Sequence, residues 1–462
     1  MTTTPVDDFA MAGELVAALA ARQVGAVELT DAAIARIERL DGPINAVVVR
    51  DFDRAREAAK AADRALAKGE RGPLLGLPMT VKEAHNVAGL PTTWGAAMFK
   101  DWIAATDSIG VARLKAAGAV ILGKTNVPPF LSDWQSDNPV YGRTNNPWDL
   151  GRSPGGSSGG SSAALAAGMV PLEFGSDIGG SIRIPSAFCG LFGHKPSHNL
   201  IPQRGHTPPG LDSDGIPLGV IGPMARSAAD LDLALEVLAG PPPQEAVGYR
   251  LALPPARHAR LGDYRVLMLT HHPLAPVADE ITAALDALAA RLEAAGAKVL
   301  RQSDLLPDLA AAHGSYMSLL GALMAPPQAL TAPDAPKLGA WFQATFAQTT
   351  VRRAWATLFQ TFDVVLAPVL GVVAFPHDNS PDMQARTLTI NGKAEPYFGQ
   401  LAWPGMAVFA NLPATAAPIG QTQAGLPIGA QIIGPYLEDR TTIGFAGLLE
   451  REFGGFRRPP GY

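Results

Sequence analysis

Two clusters of glycine and serine could do chemistry in this chain. The first is Gly-Gly-Ser-Ser-Gly-Gly-Ser-Ser at 155–162, and the second is Gly-Gly-Ser at 179–181. Glycine lets backbone amides approach a ligand closely, and a serine in such a turn can be a nucleophile or cap an amide. Small and apolar residues at 163–170 lie between the clusters, whereas a flexible linker repeats Gly and Ser without apolar interruption. The pattern alone leaves two interpretations open, a structural turn and an active-site loop.

A lysine follows the apolar segment 77–81, which predicts a short buried strand. Most lysines are solvated at the surface, but the position of Lys82 directly after an apolar strand fits that interpretation poorly. An exposed lysine has a pKa of about 10.4 and is charged at neutral pH. Burial would lower this pKa by desolvation, so we hypothesise that Lys82 is a neutral amine able to accept a proton.

These segments together resemble the amidase signature family of serine hydrolases, which includes bacterial amidases, aryl acylamidases and urethanases, fatty acid amide hydrolase and the glutaminase subunit of the tRNA amidotransferase. The matching stretches are Gly-Gly-Ser-Ser-Gly-Gly at 155–160, Gly-Ser-Asp-Ile-Gly-Gly-Ser-Ile-Arg at 175–183, Cys-Gly at 189–190 and Lys-Pro at 195–196. The family's two working serines match Ser157 and Ser181, which are 24 residues apart as in the family pattern. Residues 81–84 resemble the family's lysine motif, although Glu-Ala follows Lys82 where the family usually has Asp-Asn.

The resemblance implies a Ser-Ser-Lys triad that hydrolyses amides through an acyl-enzyme. Ser181 would be the nucleophile and Lys82 the base, and Ser157, joined to Gly156 by a cis peptide bond, would relay the proton between them. Amide cleavage also needs donors for the developing oxyanion. The implied donors are the backbone N–H groups of Ile178, Gly179, Gly180 and Ser181. The implied supporting residues are Ser158, Asp177 and Arg183, the last two as partners that order the loop.

A second motif, at 118–125, matches the pattern of a phosphate-binding loop, Gly-x-x-x-x-Gly-Lys-Thr. Such a loop needs a strand before its first glycine and a helix after its Lys-Thr. Here a predicted helix, 108–117, precedes the motif, and a predicted strand, 119–122, lies inside it. Pro128-Pro129 prevents a helix from continuing after the motif. The order of elements therefore argues against nucleotide binding.

Composition argues against other classes of partner. The 462-residue chain has a formal net charge of −5 and no basic block, which argues against nucleic acid. It has no run of about 18 apolar residues that would predict a membrane-spanning helix, and its N-terminal stretch lacks the basic region of a secretory signal. The single cysteine, Cys189, is expected to be buried and inert. The nine histidines show no metal-site pattern. We expect a cytoplasmic protein without metal or cofactor.

The candidate side chains need a large α/β fold to position them. Periodic apolar residues predict a helix at 28–40 that ends at Gly42-Pro43. A predicted strand at 265–269, helix at 279–295 and strand at 297–300 form a βαβ unit and therefore predict parallel pairing. We expect a single α/β/α domain, 1–462, with a central mixed β-sheet flanked by helices. Its parts are N-terminal helices (1–70), the signature core (77–240), a variable substrate-covering region (245–360) and the C-terminal part of the core (362–462).

The expected substrate is a small uncharged molecule, an apolar or aromatic amide such as an anilide, or a carbamate. Ile184 favours this because members of the family linked to tRNA carry Gln at that position, and residues 310–405 add methionines and aromatics. The residues expected to contact substrate are Ile184, Met317, Phe346, Phe398 and Trp403. Two alternatives stay open: the glutaminase subunit of a tRNA-dependent amidotransferase, and a non-catalytic binding protein with this fold. The oligomeric state is left open.

Overall fold

A computed structural model of the chain describes residues 7–325 and 337–462. The strands are β1 (Val47–Arg50), β2 (Pro78–Lys82), β3 (Val120–Thr125), β4 (Asp137–Asn138), β5 (Gly142–Arg143), β6 (Leu172–Asp177), β7 (Phe192–Lys195), β8 (Val220–Ala225), β9 (Arg265–Met268), β10 (Lys298–Leu300), β11 (Val364–Pro368), β12 (Thr387–Ile390), β13 (Lys393–Pro396), β14 (Ala414–Gln421) and β15 (Pro427–Ile433).

The α-helices are α1 (Ala12–Ala20), α2 (Ala26–Ile44), α3 (Phe52–Ala67), α4 (Ile109–Ala116), α5 (Gly159–Ala166), α6 (Arg183–Cys189), α7 (Ala228–Leu238), α8 (Asp279–Ala294), α9 (Leu309–Met324), α10 (Leu338–Thr361), α11 (Ala402–Phe409) and α12 (Asp439–Phe453). Short 3₁₀ helices cover Ala97–Phe99, Pro129–Leu131, Leu261–Asp263 and Tyr397–Leu401. Within the described residues, no helix is long and apolar enough to cross a bilayer.

The central sheet has eight strands in the order β10-β9-β11-β15-β14-β7-β8-β6. Strands β10, β9 and β11 pair in parallel, and the remaining neighbours pair antiparallel. This confirms the expected mixed sheet, and the parallel pairing of β9 with β10 confirms the predicted βαβ unit around α8. Its inner strands, such as Val-Val-Leu-Ala-Pro in β11, are buried throughout, as expected for strands covered on both faces.

A separate three-stranded sheet, in the order β1-β3-β2, carries Lys82. Strand β2 runs parallel to β3, and Lys82 lies opposite Thr125. A hydrogen bond from Thr80 Oγ1 to Glu173 Oε1 joins β2 to β6 of the central sheet. The hydroxyls of Thr125 and Ser161, 2.8 Å apart, join β3 to α5. These buried bonds bring the end of β2 to the end of β6, where the second glycine–serine cluster begins.

Helix α5 follows the first glycine–serine cluster and is buried along its whole length. Its small residues allow this, because a Cβ at Gly160 would lie 2.2 Å from the backbone N of Asn126. The helix therefore packs against the residue after β3 with no room for a larger side chain. This close packing fixes the loop 155–158 that precedes the helix.

Two expectations about helices need revision. Helix α2 does not end at Gly42-Pro43 but continues to Ile44, with Pro43 in its last turn. The left-handed residue Asn45, with a φ of 57°, then ends the helix. In the predicted covering region, α9 and α10 pack against each other. Residues 326–336 of that region lie outside the described residues.

Candidate active site

Lys82, at the end of β2, is fully buried and faces two serine hydroxyls. Its Nζ donates to Ser157 Oγ at 2.6 Å and to Ser176 Oγ at 2.9 Å. Burial holds the pKa of the Lys82 ammonium well below its ordinary value, and the negative charges of Asp177 and Glu173 oppose that shift only in part. A lysine in this environment can lose its proton far below the pH at which an exposed lysine does, so it can serve as a base.

Ser157 lies on the loop before α5, and the peptide bond that joins it to Gly156 is cis. The neighbouring Ser158 connects this loop to Ser181 and to Ser176. Its backbone N–H donates to the carbonyl of Ser181 at 3.2 Å, and its Oγ lies 3.4 Å from both the carbonyl and the N–H of Ser176. Ser158 therefore holds the first glycine–serine cluster against the second.

Ser181 is 5% exposed and opens into a cavity, whereas Ser157 is 1% exposed. No hydrogen bond joins the hydroxyls of these two described residues. The structure corrects one of the four predicted oxyanion donors, because the N–H of Gly180 donates to Asp177 Oδ1 at 2.9 Å. The N–H groups of Ile178, Gly179 and Ser181 have no hydrogen-bond acceptor within the part of the chain that is described.

Asp177 and Arg183 form a fully buried ion pair behind the second cluster. Arg183 donates to both carboxylate oxygens at 3.0 Å, and Asp177 also accepts from the N–H of Ile182 at 3.2 Å. Burial alone would raise the pKa of Asp177, but the charge and hydrogen bonds of Arg183 hold it below its ordinary value. The carboxylate therefore stays ionised and orders the turn that presents Ser181.

The cavity in front of Ser181 has a volume of about 250 Å³, and most of its lining is apolar. One wall is formed by Ile178, Gly179 and Ser181. The other residues around it are Leu131, Ser132, Asp133, Trp134, Met317, Leu320, Gly321, Met324, Met383, Gln384, Phe398 and Leu401. We call this space the Ser181 cavity. It is the place where a substrate carbonyl could meet the Ser181 hydroxyl and the free amides together.

One charged residue stands among those that line the cavity, and its charge is compensated. Asp133 Oδ2 accepts from Arg386 at 2.7 Å, and Asp133 Oδ1 accepts from the Tyr397 hydroxyl at 2.7 Å. Both members of the ion pair are about nine-tenths buried. The described lining of the Ser181 cavity therefore offers no unpaired charge to a ligand.

Of the five predicted substrate contacts, Met317 and Phe398 line the Ser181 cavity and three do not. Ile184 is fully buried on α6 behind the second cluster, where its Cδ1 would lie 2.5 Å from a Cβ at Gly180. Trp403 is fully buried within α11, its ring centroid 5.4 Å from that of His272. Phe346 is 70% exposed on α10 and stacks on Phe342. Packing accounts for the positions of Ile184 and Trp403, whereas Phe346 faces solvent.

Sequence reasoning missed several residues that the structure brings to the site. Ser176 meets Lys82 although it stands inside the nucleophile motif, and its place at the end of β6 beside Asp177 is the signal that could have found it. Trp134 and Met383 line the Ser181 cavity from separate loops. Tyr316 lies on α9 one residue before Met317, with its hydroxyl bonded to the carbonyl of Ile178. None of these last three belongs to a motif.

The departure from the family's lysine motif has a structural explanation. Glu83 is fully buried and accepts from the N–H groups of Thr93 at 2.5 Å and Trp94 at 2.9 Å. It therefore orders the loop beside β2. Lys124 belongs to the motif that matches the pattern of a phosphate-binding loop. It is buried within β3 and donates to Thr92 Oγ1 and to the carbonyl of Pro91. Its amine stabilises the same loop, and no α-helix begins directly after the motif.

Within residues 7–325 and 337–462, no three histidine, cysteine, aspartate or glutamate side chains come close enough to hold a metal ion. The site described above consists of serines, a lysine and backbone amides, which are the groups needed for nucleophilic attack, proton transfer and oxyanion stabilisation.

Comparison with known proteins shows what this chain is similar to. The model of the family described as Amidase matches residues 28–323 and 328–443. A glutamyl-tRNA(Gln) amidotransferase subunit of Roseiflexus sp. (strain RS-1) is 32% identical, with 94% of each chain covered. An acylamidase of Rhodococcus erythropolis is 33% identical, with 95% of this chain and 94% of the relative covered. Among solved structures, a bacterial aryl acylamidase of the amidase signature enzymes superposes with a TM-score of 0.83 at 28% identity, covering 96% of each chain.

Proposed function

The chain belongs to the amidase signature family, whose members act on amides, and from that membership we propose that it is a serine hydrolase that cleaves the C–N bond of apolar or aromatic amides and carbamates. One observation carries the proposal. A buried lysine amine lies 2.6 Å from Ser157 Oγ, next to a second serine that opens into an apolar cavity beside free backbone amides. These are the parts that amide hydrolysis requires.

In the first half of the reaction, Ser181 Oγ attacks the carbonyl carbon of the substrate. Its proton passes to Ser157, whose own proton passes to the neutral Nζ of Lys82. The carbonyl oxygen becomes negative and accepts hydrogen bonds from the N–H groups of Ile178, Gly179 and Ser181. As the C–N bond breaks, Lys82 returns the proton through Ser157 to the leaving nitrogen, and the acyl group stays on Ser181 as an ester.

In the second half, water attacks the acyl carbon and gives its proton to Lys82 by the same route. The tetrahedral intermediate again places its negative oxygen on the three amides. Collapse releases the acid, and Ser181 regains its proton from Lys82 through Ser157. A carbamate presents the same kind of carbonyl carbon with an amine leaving group, so the same groups serve both substrate classes.

The Ser181 cavity supports the apolar substrate class. Its lining includes the side chains of Met317, Met324, Met383, Phe398 and Leu401, and the charge on the neighbouring Asp133 is already paired. Apolar pockets bind by burying apolar surface, and methionine adapts its shape to different ligands. An acyl or aryl group without charge therefore suits this cavity better than a charged one.

The test is a matched panel of an anilide, an aryl carbamate, a short aliphatic amide and glutamine, each incubated with the wild type and with Ser181→Ala. We expect aniline release from the first two substrates and none from Ser181→Ala. Ser162→Ala is the matched control, because its hydroxyl is equally buried but bonds to the carbonyls of Pro154 and Gly159 within α5 and its loop. Activity that survives Ser181→Ala would contradict the proposal.

A second candidate function is the amide-hydrolysing subunit of a tRNA-dependent amidotransferase. The support is that relatives with this name cover 94% of the chain. The sequence argument against it weakens, because Ile184 does not line the Ser181 cavity. The panel separates the two functions: ammonia from glutamine, without turnover of the anilide or the carbamate, would favour the amidotransferase function.

A third candidate, a non-catalytic binding protein, requires an inert Ser181. A fluorophosphonate probe reacts covalently with an activated serine, so we expect it to label the wild type and not Ser181→Ala. Absence of labelling in the wild type would favour the binding protein.

A further inference from the structure

Two side chains from outside the glycine–serine clusters hold the backbone next to Ser181. The hydroxyl of Tyr316 on α9 donates to the carbonyl of Ile178 at 2.9 Å. The indole Nε1 of Trp134 donates to the carbonyl of Gly179 at 3.1 Å. Both donors are almost fully buried, with 0% exposure for Tyr316 and 3% for Trp134. They therefore hold two consecutive peptide units of the loop that bears the free amides.

A trans peptide unit is planar, and its C=O and N–H point in opposite directions. The carbonyl of Ile178 and the N–H of Gly179 belong to one unit, so the bond from Tyr316 fixes the direction of the Gly179 amide. That amide has no acceptor among the described residues, and Gly179 borders the Ser181 cavity. Because the carbonyl points to Tyr316, the N–H of the same unit points away from Tyr316 and stays available to a ligand.

The next peptide unit is held at both of its ends. Trp134 donates to its carbonyl, on Gly179, and Asp177 accepts from its N–H, on Gly180. Glycine has no side chain to restrict its backbone and is the most flexible residue. Gly179 and Gly180 therefore depend on such outside contacts to keep one conformation.

We propose that Tyr316 and Trp134 are positioning residues that aim the Gly179 amide at the substrate oxyanion. The inference rests on the proposed function, because it needs an oxyanion to form beside Ser181. Burial raises the pKa of the Tyr316 phenol above its ordinary value, so Tyr316 remains a donor throughout the working pH range. Neither residue touches the reacting atoms, and both act through the backbone of 178–180.

One of the two residues lines the Ser181 cavity, and the other lies on a helix that lines it. Trp134 lines the Ser181 cavity directly. Helix α9, which carries Tyr316, also contributes Met317, Leu320 and Met324 to that lining. The tyrosine ring packs closely on α11, where a Cβ at Gly405 would lie 2.8 Å from its Cε1. The hydroxyl is thus held by a packed ring, and the element that shapes the cavity also positions the amides.

The decisive variant is Tyr316→Phe, which removes the hydroxyl and keeps the ring. Losing a direct oxyanion donor typically costs about 100- to 1000-fold in rate, and losing a bond that only aims one should cost less. We expect kcat for the anilide to fall about 2- to 10-fold, the range of a single hydrogen bond, with KM changed less than twofold. Trp134→Phe, which removes the indole N–H, should lower kcat by a similar factor.

Two controls remove the same chemical groups elsewhere. The Tyr264 hydroxyl donates to the carbonyl of His258 at 3.3 Å, and Trp148 Nε1 donates to the carbonyl of Cys189 at 3.0 Å. Neither residue lines the Ser181 cavity. Tyr264→Phe and Trp148→Phe should therefore leave kcat within the error of the wild type, even if they lower thermal stability as much as the test variants do.

A trifluoromethyl ketone that carries the aryl group of the anilide separates positioning from a general loss of structure. It forms a tetrahedral oxyanion on an active serine, so its affinity should fall by the same factor as kcat in Tyr316→Phe and Trp134→Phe. The corresponding alcohol, which cannot form the oxyanion, should bind Tyr316→Phe as tightly as the wild type. Unchanged kcat and ketone affinity in Tyr316→Phe, or equal losses in Tyr264→Phe, would overturn the inference. Full activity of Ser181→Ala would instead overturn the proposed function.

Discussion

The two walls of the Ser181 cavity are held in place by different forces. By the polar wall we mean Ser181, which lines the cavity, together with the buried Lys82, Ser157 and Ser176 and the ion pair behind it. This wall is fixed by hydrogen bonds such as those of Lys82 at 2.6 and 2.9 Å. The apolar wall, formed mainly by Met317, Leu320, Phe398 and Leu401, is held by packing. Hydrogen bonds are directional, whereas apolar contact is not.

Because of this difference, substitutions on the two walls should have different consequences. On the polar wall a change of one group removes a proton acceptor or leaves a buried charge without a partner, and both losses are large. On the apolar wall a change of volume alters binding, and methionine side chains can adjust to part of it. Under the proposed function, we therefore expect the polar wall to determine whether the reaction occurs and the apolar wall to determine which substrates undergo it.

The largest effect on activity is expected from a comparison of two lysines on neighbouring strands. Lys82→Met removes the proton acceptor but keeps the volume, so kcat/KM should fall about 10²- to 10⁴-fold, the usual contribution of a general base. Lys124→Met is the matched control. Lys124 is equally buried and its pKa is lowered by burial to about 8, but its amine contacts Thr92 and the carbonyl of Pro91 instead of a candidate catalytic serine.

For Lys124→Met we therefore expect reduced thermal stability and a fall in kcat/KM of less than tenfold. Steady-state kinetics on the anilide and thermal unfolding of both variants provide the measurements. If Lys124→Met lost as much activity as Lys82→Met, burial of an amine alone would explain the effect, and the special role of the polar wall would be refuted.

Sequence motifs pointed to three of the four residues of the polar wall, because Lys82, Ser157 and Ser181 stand in three short segments, whereas Ser176 was missed. Lys82 ends a strand, and Ser157 and Ser181 lie in glycine-rich turns, but this pattern alone left a structural turn open, and the resemblance to the amidase signature family implied their roles. The motif could not show which amides remain free. Gly180 was expected to be an oxyanion donor, but its N–H is taken by Asp177 three residues earlier. That competition depends on the conformation of the turn.

The apolar wall was only partly predictable, for a different physical reason. Composition indicated methionines and aromatics between 310 and 405, but only tertiary packing decides which face of a helix meets the cavity. Met317 on α9 faces it, whereas Phe346 on α10 faces solvent. Trp403 is the opposite error, because it is completely buried inside the core. Both side chains are apolar aromatics, as a substrate contact would require, but neither of them points into the cavity.

The next prediction concerns the stability of the polar wall. Asp177→Asn should lower the free energy of unfolding by about 3–5 kcal/mol, because Arg183 would remain buried without its charge partner. Asp363→Asn is the comparison. Asp363 is paired with Arg257 and Arg265, whose side chains are 24% and 42% exposed, so water can solvate them when the carboxylate is gone. Urea denaturation of both variants measures the difference.

We expect the Asp363 variant to lose clearly less stability than the Asp177 variant. Equal losses in the free energy of unfolding would mean that burial of the Asp177–Arg183 pair does not increase its contribution to stability. The polar wall would then not differ in this respect from the rest of the molecule.

A smaller effect is expected on the apolar wall. Met317→Ala removes apolar surface from the Ser181 cavity, so KM for the anilide should rise about tenfold, in the range measured for lost apolar groups in pockets, while kcat changes little. Phe346→Ala removes a larger apolar side chain, but one that is 70% exposed. It should leave both constants unchanged. A rise in KM with Phe346→Ala would show that α10 contributes to binding after all.

The smallest expected effect is a shift in the pH dependence of activity. It comes from the coupling of Glu173 in the central sheet to Lys82 in the three-stranded sheet. Burial raises the pKa of Glu173 to about 7, and its carboxylate, when charged, raises the pKa of Lys82. Glu173→Gln removes that charge and therefore lowers the pKa of Lys82 further. Because the neutral amine is the active form, the acid limb of kcat/KM should move to lower pH, with the plateau unchanged. The pH dependence of anilide hydrolysis measures this shift.

Glu450→Gln supplies the control for this last change. Glu450 on α12 is another carboxyl whose pKa burial raises, and it accepts from the N–H of Ala228 instead of from a group near Lys82. Its variant should show the acid limb of the wild type. A limb that moved to higher pH in Glu173→Gln would contradict the sign of the electrostatic coupling, since removal of a negative charge cannot stabilise the ammonium of Lys82. It would mean that the acid limb reports a group other than Lys82.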